Sequence, residues 1–249
     1  MKIHIMPEGP TILLMKEDLL KLEGKTVTNA KGSIISDKNI VVGETLKEVR
    51  TFGKLTFLVF KKFSFRIHLL MYGSYSLFEK KNLSHTLRLG LQFKNEEVYF
   101  YTCSAKIINN KELKKIDWEA DIMSKKWNTE NAKNKMRQNP EMMICDALMD
   151  QDIFSGVGNI IKNEALFRAE IHPESKIKNL STKQLDKIIE HTKDYSFDFL
   201  KWKRTNELKK HFQVYHREIC PKCGEKIIRK DTGKGKRASF YCENDQILL

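Results

Sequence analysis

Beyond its first two dozen residues the hydrophobic pattern of this chain passes from short β-like runs to helical spacing, which limits it to folds that keep a β region and a helical region apart. From Lys25 to about Ser104 the apolar runs are short and β-rich: LTFLVF (55–60), RIHLL (66–70) and SYSLF (74–78), separated by charged turns. In LRLGLQF, Leu87, Leu89, Leu91 and Phe93 alternate with Arg88, Gly90 and Gln92, so one face is apolar. An antiparallel sandwich or barrel requires that alternation. The segment in front, TILLMKEDLLKLEGK, has helical spacing and stops at Gly24, which adds an amino-terminal helix to the β region.

Between Ile107 and Asn139 the chain is polar, rich in Lys and Asn, and weakly periodic, as expected at a domain boundary. After Pro140 the pattern is helical: EMMICDALMD, a turn at FSGVG, then NIIKNEALFRAE. A third helix is predicted to open at Ser181, whose spacing to Gln184 fits a capping box. The last thirty residues are too short for a core of their own and contain the pair Cys220 and Cys223 in a CxxC spacing. Something other than apolar burial is needed to hold them.

Charge narrows the partner. The 45 Lys and Arg exceed the 32 Asp and Glu by 13, and Lys201–Leu249 alone carries a net +7. That concentration points to a local surface for a polyanion such as nucleic acid, the alternative being a solvated Lys-rich face. No run of about 18 apolar residues exists, and MKIHIMPEGP lacks the pattern of a secretory signal, so no membrane partner and a cytoplasmic, nucleoid-associated location are expected. Five cysteines without an export signal read as metal or free-thiol chemistry rather than disulfides.

Four stretches carry more specific information: MPEGPTI (6–12); Lys54 inside RTFGKLTFLVF with HLLMYG after it; DQDIFSGVGNIIKNEALFRAEIHP (150–173); and HFQVYHREICPKCG with RASFYCENDQ at the end. In order and spacing they resemble the formamidopyrimidine-DNA glycosylase and endonuclease VIII family over nearly the whole chain. The resemblance implies an α+β multidomain fold. Its parts are an amino-terminal β-sandwich with a flanking helix (7–125), a helix-two-turn-helix domain (135–212) and a carboxy-terminal zinc-finger-like β-hairpin (213–249). It implies an enzyme that removes oxidised bases from damaged double-stranded DNA, with AP lyase activity; one chain around one lesion needs no partner, so a monomer is expected.

By the same resemblance, Pro7 is the nucleophile: a free proline amine attacks the sugar C1′ and forms an iminium. As an internal residue Pro7 is an amide, so this chemistry expects a mature chain that starts at Pro7 after removal of Met6. Glu8 matches the family's general acid, a role suited to a carboxyl of raised pKa. Thr11 stands where family members often have Glu, which bears on the later proton transfers. Lys54 matches a strand lysine that contacts phosphate. Leu70, Met71 and Tyr72 align with the loop that fills the hole left by an extruded nucleotide, although core packing at a hairpin is the competing reading.

The turn SGVG before NIIKNE predicts free N–H groups at a helix start, a natural phosphate seat, with Asn159 as cap and added donor. Glu164 is expected to tie the helical domain to the catalytic one. Arg237 falls where the family has a DNA-contacting arginine. The resemblance also implies zinc: Cys220, Cys223 and Cys242 are in place, and Asp245 takes the fourth position, giving a Cys3Asp set. The alternative is a metal-free hairpin held by Phe240 and Tyr241. PEGP rather than PELP, and the lack of an Asp-x-Arg-Arg-Phe-Gly loop near YFYTCSAKI, incline the substrate toward oxidised pyrimidines. A binding protein without catalysis and an oxidised-purine glycosylase are the competing functions.

Overall fold

A computed structural model describes residues 6–79 and 86–249. They form two compact units: Pro7 and Ile12–Ile116 belong to the first, Glu8–Thr11 and Asp117–Leu249 to the second.

The first unit holds two antiparallel four-stranded sheets. One has the order β1 (Asn29–Lys31), β6 (Leu87–Gln92), β7 (Glu97–Tyr101), β5 (Ser74–Ser76). The other runs β2 (Glu48–Phe52), β3 (Leu55–Val59), β4 (Phe63–His68), β8 (Ser104–Asn109). Leu89, Leu91, Val98 and Phe100 from one sheet and Val49, Leu58, Phe65 and Ile67 from the other belong to a single buried cluster. Each such side chain contributes roughly 1.5–3 kcal/mol on burial. Helix α1 (Gly9–Leu19) adds Ile12, Met15 and Leu19, so the expected sandwich with a flanking helix is present. The predicted alternation holds in β6, where Leu89 and Leu91 are buried with Phe93 just beyond. Gly90 is buried too, because the Tyr99 ring lies against it: a Cβ there would meet Tyr99 Cδ1 at 2.6 Å.

The second unit contains α2 (Thr129–Arg137), α3 (Ile144–Met149), α4 (Asn159–Ala169), α5 (Thr182–Arg204) and the hairpin β9 (Ile228–Thr232) and β10 (Arg237–Tyr241). Helices α3 and α4 are joined by two successive turns, closed by Phe154 N–H on Asp150 O at 2.8 Å and Val157 N–H on Phe154 O at 3.1 Å. Gln151 braces them, accepting from Gly156 N–H and donating to Val157 O. Helix α4 is buried along nearly its whole length. The capping box on α5 forms as predicted, with Gln184 N–H on Ser181 Oγ and Ser181 N–H on Gln184 Oε1.

Helix α2 lies inside the stretch expected to be a linker. Its periodicity is weak because its buried face is only Ala132, Met136 and Lys133, and Lys133 is paired with Glu130 and Asp186. Asn128 caps it through a bond from Asn131 N–H. Among the described residues no helix is long and apolar enough to cross a membrane.

Candidate nucleic-acid interface and metal centre

Glu8 is 1% exposed, and its carboxylate sits on the amino-terminal end of α4. Oε2 accepts from Gly158 N–H at 3.0 Å and Ile161 N–H at 3.3 Å, and Oε1 accepts from Ile160 N–H at 2.8 Å. These are the unpaired donors of a helix start, where the helix dipole favours an anion. The turn alone would offer them to phosphate, but a side chain from 150 positions earlier takes three of them. Both glycines of SGVG have a reason to be there. Gly156 has φ +102, and a Cβ on Gly158 would lie 2.4 Å from Glu8 Cδ.

Gly158 is therefore the cap position, and Asn159, expected as the cap, is the first residue inside the helix. The Asn159 side chain is turned to the hairpin, donating from Nδ2 to Ala238 O at 2.9 Å. Arg237, one residue before, is half-buried at the start of β10. The second unit thus brings Glu8, Asn159 and the backbone carrying Arg237 to one end of α4. Tyr215 belongs to the same group: burial and then the Glu8 charge push its hydroxyl above the usual range.

Glu164, expected to tie the helical domain to the catalytic one, has its hydrogen bonds inside the second unit. It accepts from the N–H groups of Gln213, Val214 and Tyr215 at 2.8–3.1 Å, fixing the segment that leads to the hairpin. Burial pushes this carboxyl upward, opposed by those same hydrogen bonds.

In the first unit, Lys54 occupies the two-residue turn between β2 and β3 rather than a strand. Its charge, after burial, helps to depress His68, which lies opposite Leu55 in the β3–β4 register. His68 Nδ1 accepts Leu70 N–H at 3.0 Å and so shapes the loop that follows. Leu70, Met71 and Tyr72 are 50%, 44% and 64% exposed, which removes the core-packing alternative. Leu70 has φ +58, and Gly73 closes the loop by donating to Leu69 O at 2.8 Å. Pro7 is half-buried just before α1, and the Thr11 hydroxyl is buried without a hydrogen-bond partner. His68 has no sequence signal of its own, whereas Gly158 is one of the two glycines that mark the turn at SGVG.

Cys220, Cys223, Cys242 and Asp245 converge, with ligand atoms all within 4.8 Å of one another. Cys223 Sγ and Cys242 Sγ are 3.4 Å apart, and Cys220 Sγ lies 2.9 Å from Asp245 Oδ2. Tetrahedral zinc–thiolate geometry at ~2.3 Å per bond puts sulfurs about 3.8 Å apart, so the four groups fit such an ion after small adjustments. The turn is built for this: Gly224, at φ +80, donates to Cys220 O, and Lys222 N–H points at Cys220 Sγ. Cys220 and Cys242 are buried while Cys223 is exposed, giving the cluster one wet edge.

Comparison with known proteins agrees with this architecture. Residues 6–107 match the formamidopyrimidine-DNA glycosylase N-terminal domain, and residues 119–196 match the formamidopyrimidine-DNA glycosylase H2TH domain. Endonuclease 8-like 3 of Mus musculus is 32% identical over 225 residues, covering 88% of this chain and 37% of that protein. The Homo sapiens protein of the same name is 30% identical over 267 residues, covering 98% and 44%. The chain thus spans about two fifths of the length of these curated relatives. Among solved structures, Lactococcus lactis formamidopyrimidine-DNA glycosylase bound to DNA containing an AP site superposes with TM-score 0.84 at 20% identity, covering 96% of this chain and 99% of that one. A viral DNA glycosylase gives 0.82 at 20% identity, covering 96% and 100%. The matched domains, in their order along the chain, make this protein a member of the formamidopyrimidine-DNA glycosylase and endonuclease VIII family, in its endonuclease VIII-like branch.

Proposed function

We propose that this protein is a base-excision repair DNA glycosylase with AP lyase activity, acting as a monomer on oxidised pyrimidines in duplex DNA. The observation that carries the reading is the Glu8 carboxylate, adjacent in sequence to Pro7 and held on the start of α4 beside Asn159. In this reading residues 7–125 carry the chemistry, 135–212 grip the backbone, and 213–249 present Arg237 to a strand.

When Pro7 is the first residue, its secondary amine attacks C1′ of the damaged nucleotide, the base departs, and an iminium links sugar and protein. Glu8 moves protons at the sugar oxygen, and its hydrogen-bonded seat fixes where that carboxyl points. Lys54 contacts the phosphate beside the lesion, and Asn159 supplies a donor to a phosphate. Leu70, Met71 and Tyr72 fill the space left by the extruded nucleotide; their exposure supports this use. Zinc fits the Cys220, Cys223, Cys242 and Asp245 set, where it would brace the turn before the hairpin. DNA in the neighbouring solved structures and the net +7 of Lys201–Leu249 support the choice of partner.

Borohydride trapping tests the proposal, using a thymine-glycol duplex, an 8-oxoguanine duplex, and two forms of the protein. One form begins at Pro7 and the other retains Met1–Met6. A covalent adduct with thymine glycol from the Pro7 form alone is expected. Adduct from neither form, with tight binding by both, overturns catalysis and leaves a damage-binding protein; preference for 8-oxoguanine overturns the pyrimidine assignment.

A further inference from the structure

One face of α4 is committed to the hairpin. Asn159, Lys162 and Asn163 follow the i, i+3, i+4 spacing, and all three donate to a single acceptor, the Ala238 carbonyl. Asn159 Nδ2 lies at 2.9 Å, Lys162 Nζ at 3.3 Å and Asn163 Nδ2 at 3.3 Å. A carbonyl offers two lone pairs, so this one has more donors than it needs. Lys162 Nζ also donates to Ser239 Oγ at 2.9 Å, and Ser239 Oγ shares a hydrogen bond of 2.6 Å with Thr232 Oγ1 across the hairpin. Asn163 Oδ1 accepts Phe240 N–H at 2.8 Å. The opposite end of the turn is held as well: Asp146 accepts Lys234 N–H at 2.9 Å, and a Cβ on Gly233 would strike that carboxylate.

Lys162 is 1% exposed, and these hydrogen bonds take its ammonium to neutral oxygens. Burying an ammonium in that way is unfavourable, and an apolar side chain of similar volume would pack there without the penalty. Stability alone does not account for the residue. Its anchor points, Ala238 and Ser239, immediately follow Arg237 at the start of β10.

We infer that Lys162 is a positioning residue for Arg237: it clamps Ala238 and Ser239 to α4 so that the arginine projects to a DNA strand from a fixed backbone. The inference rests on the proposed DNA reading. The surplus of donors has a use within it. When the Asn159 amide turns to a phosphate, Lys162 and Asn163 still hold Ala238 O, and β10 keeps its place.

The test uses the full chain as wild type, Lys162→Met, Lys162→Gln, Arg237→Ala and the Lys162→Met/Arg237→Ala pair. Amide hydrogen exchange of Arg237–Tyr241 is measured in the free protein. Affinity is measured for a duplex carrying one tetrahydrofuran site. Lys162→Met is expected to speed exchange in β10 and to weaken binding about tenfold, the weight of one hydrogen bond from a charged group. In the Arg237→Ala background the same change is expected to cost nothing further, and Lys162→Gln, which keeps a donor, recovers part of both effects. Unchanged exchange, or equal fold losses in both backgrounds, overturns the clamp. Should Lys162→Met fail to fold, Ser239→Ala removes one of its acceptors and is judged by the same two criteria. A wild-type protein without affinity for the duplex overturns the DNA reading instead, and the exchange data still decide whether Lys162 holds β10.

Discussion

Glu8 and Gly158 are in contact across 150 positions of sequence: the Glu8 carboxylate accepts the Gly158 N–H at 3.0 Å, and a Cβ on Gly158 would stand 2.4 Å from Glu8 Cδ. The carboxylate and the helix start fit one another, so a change at either residue is felt at the other.

Gly158→Ala is therefore expected to displace Glu8 and to destabilise the protein by about 2–4 kcal/mol, the range of overpacked and hydrogen-bond-breaking substitutions. Glu8→Ala leaves three N–H groups at the start of α4 without their acceptor and should cost about 3 kcal/mol, while Glu8→Gln keeps one carbonyl oxygen and costs less. Urea unfolding reads all three, and a Glu8→Ala midpoint equal to wild type would show that the cap contributes nothing. Loss of activity in a Glu8 variant has to be read beside this structural cost.

Burial lowers Lys162 from 10.5 to about 8. The unfolded chain then binds more protons than the folded one between those two values, so stability rises with pH from about 8 to about 10.5. Below that window both states are protonated and the cost of the buried charge is present in full. A shift of this size corresponds to about 3 kcal/mol. Denaturant titrations of wild type and Lys162→Met at several pH values should show the rise in the former and its loss in the latter.

Removal of metal from the Cys220, Cys223, Cys242 and Asp245 cluster should lower the melting temperature, with recovery when zinc is restored. Affinity is expected to fall as pH falls, because the thiolate ligands must be deprotonated to bind. Asp245→Ala should weaken zinc binding by at least the roughly 10–100-fold seen when only a supporting residue is lost. Competition with a chromogenic chelator measures this, and equal affinity for both proteins removes Asp245 from the ligand set.

The exposed loop makes an opposite forecast for stability and binding. Leu70 holds φ +58, a conformation that disfavours a side chain like leucine by roughly 1–2 kcal/mol. Leu70→Asn should leave stability unchanged or raise it by up to about 1 kcal/mol. The same substitution should weaken affinity for a duplex with a tetrahydrofuran site. A variant that is destabilised with affinity intact would return Leu70 to a packing role.

Much of this protein could be read from its residues in order. The alternation in LRLGLQF reappears as buried Leu89 and Leu91, and the Ser181–Gln184 capping box forms as spaced, because both depend on neighbours within a few positions. Cys220 and Cys223 were legible as a ligand pair from their spacing, and Cys242 and Asp245 joined them through the family resemblance. Helix α2 escaped notice because its buried face includes Lys133, whose burial is made possible by Asp186 on another helix.

Sequence by itself determined the β-then-helical order, the cap of α5, the cysteine-rich end and the residues that mark the family. Only the tertiary structure decided where the polar side chains in the second unit are spent. Glu8 takes the helix N–H groups that the turn at SGVG would otherwise offer to phosphate. Asn159 is drawn to Ala238, and Glu164 is drawn to the backbone of residues 213–215. Hydrogen-bond partners of buried polar groups are set by whatever the fold brings within about 3 Å, and no local pattern encodes a neighbour 50 to 150 positions away.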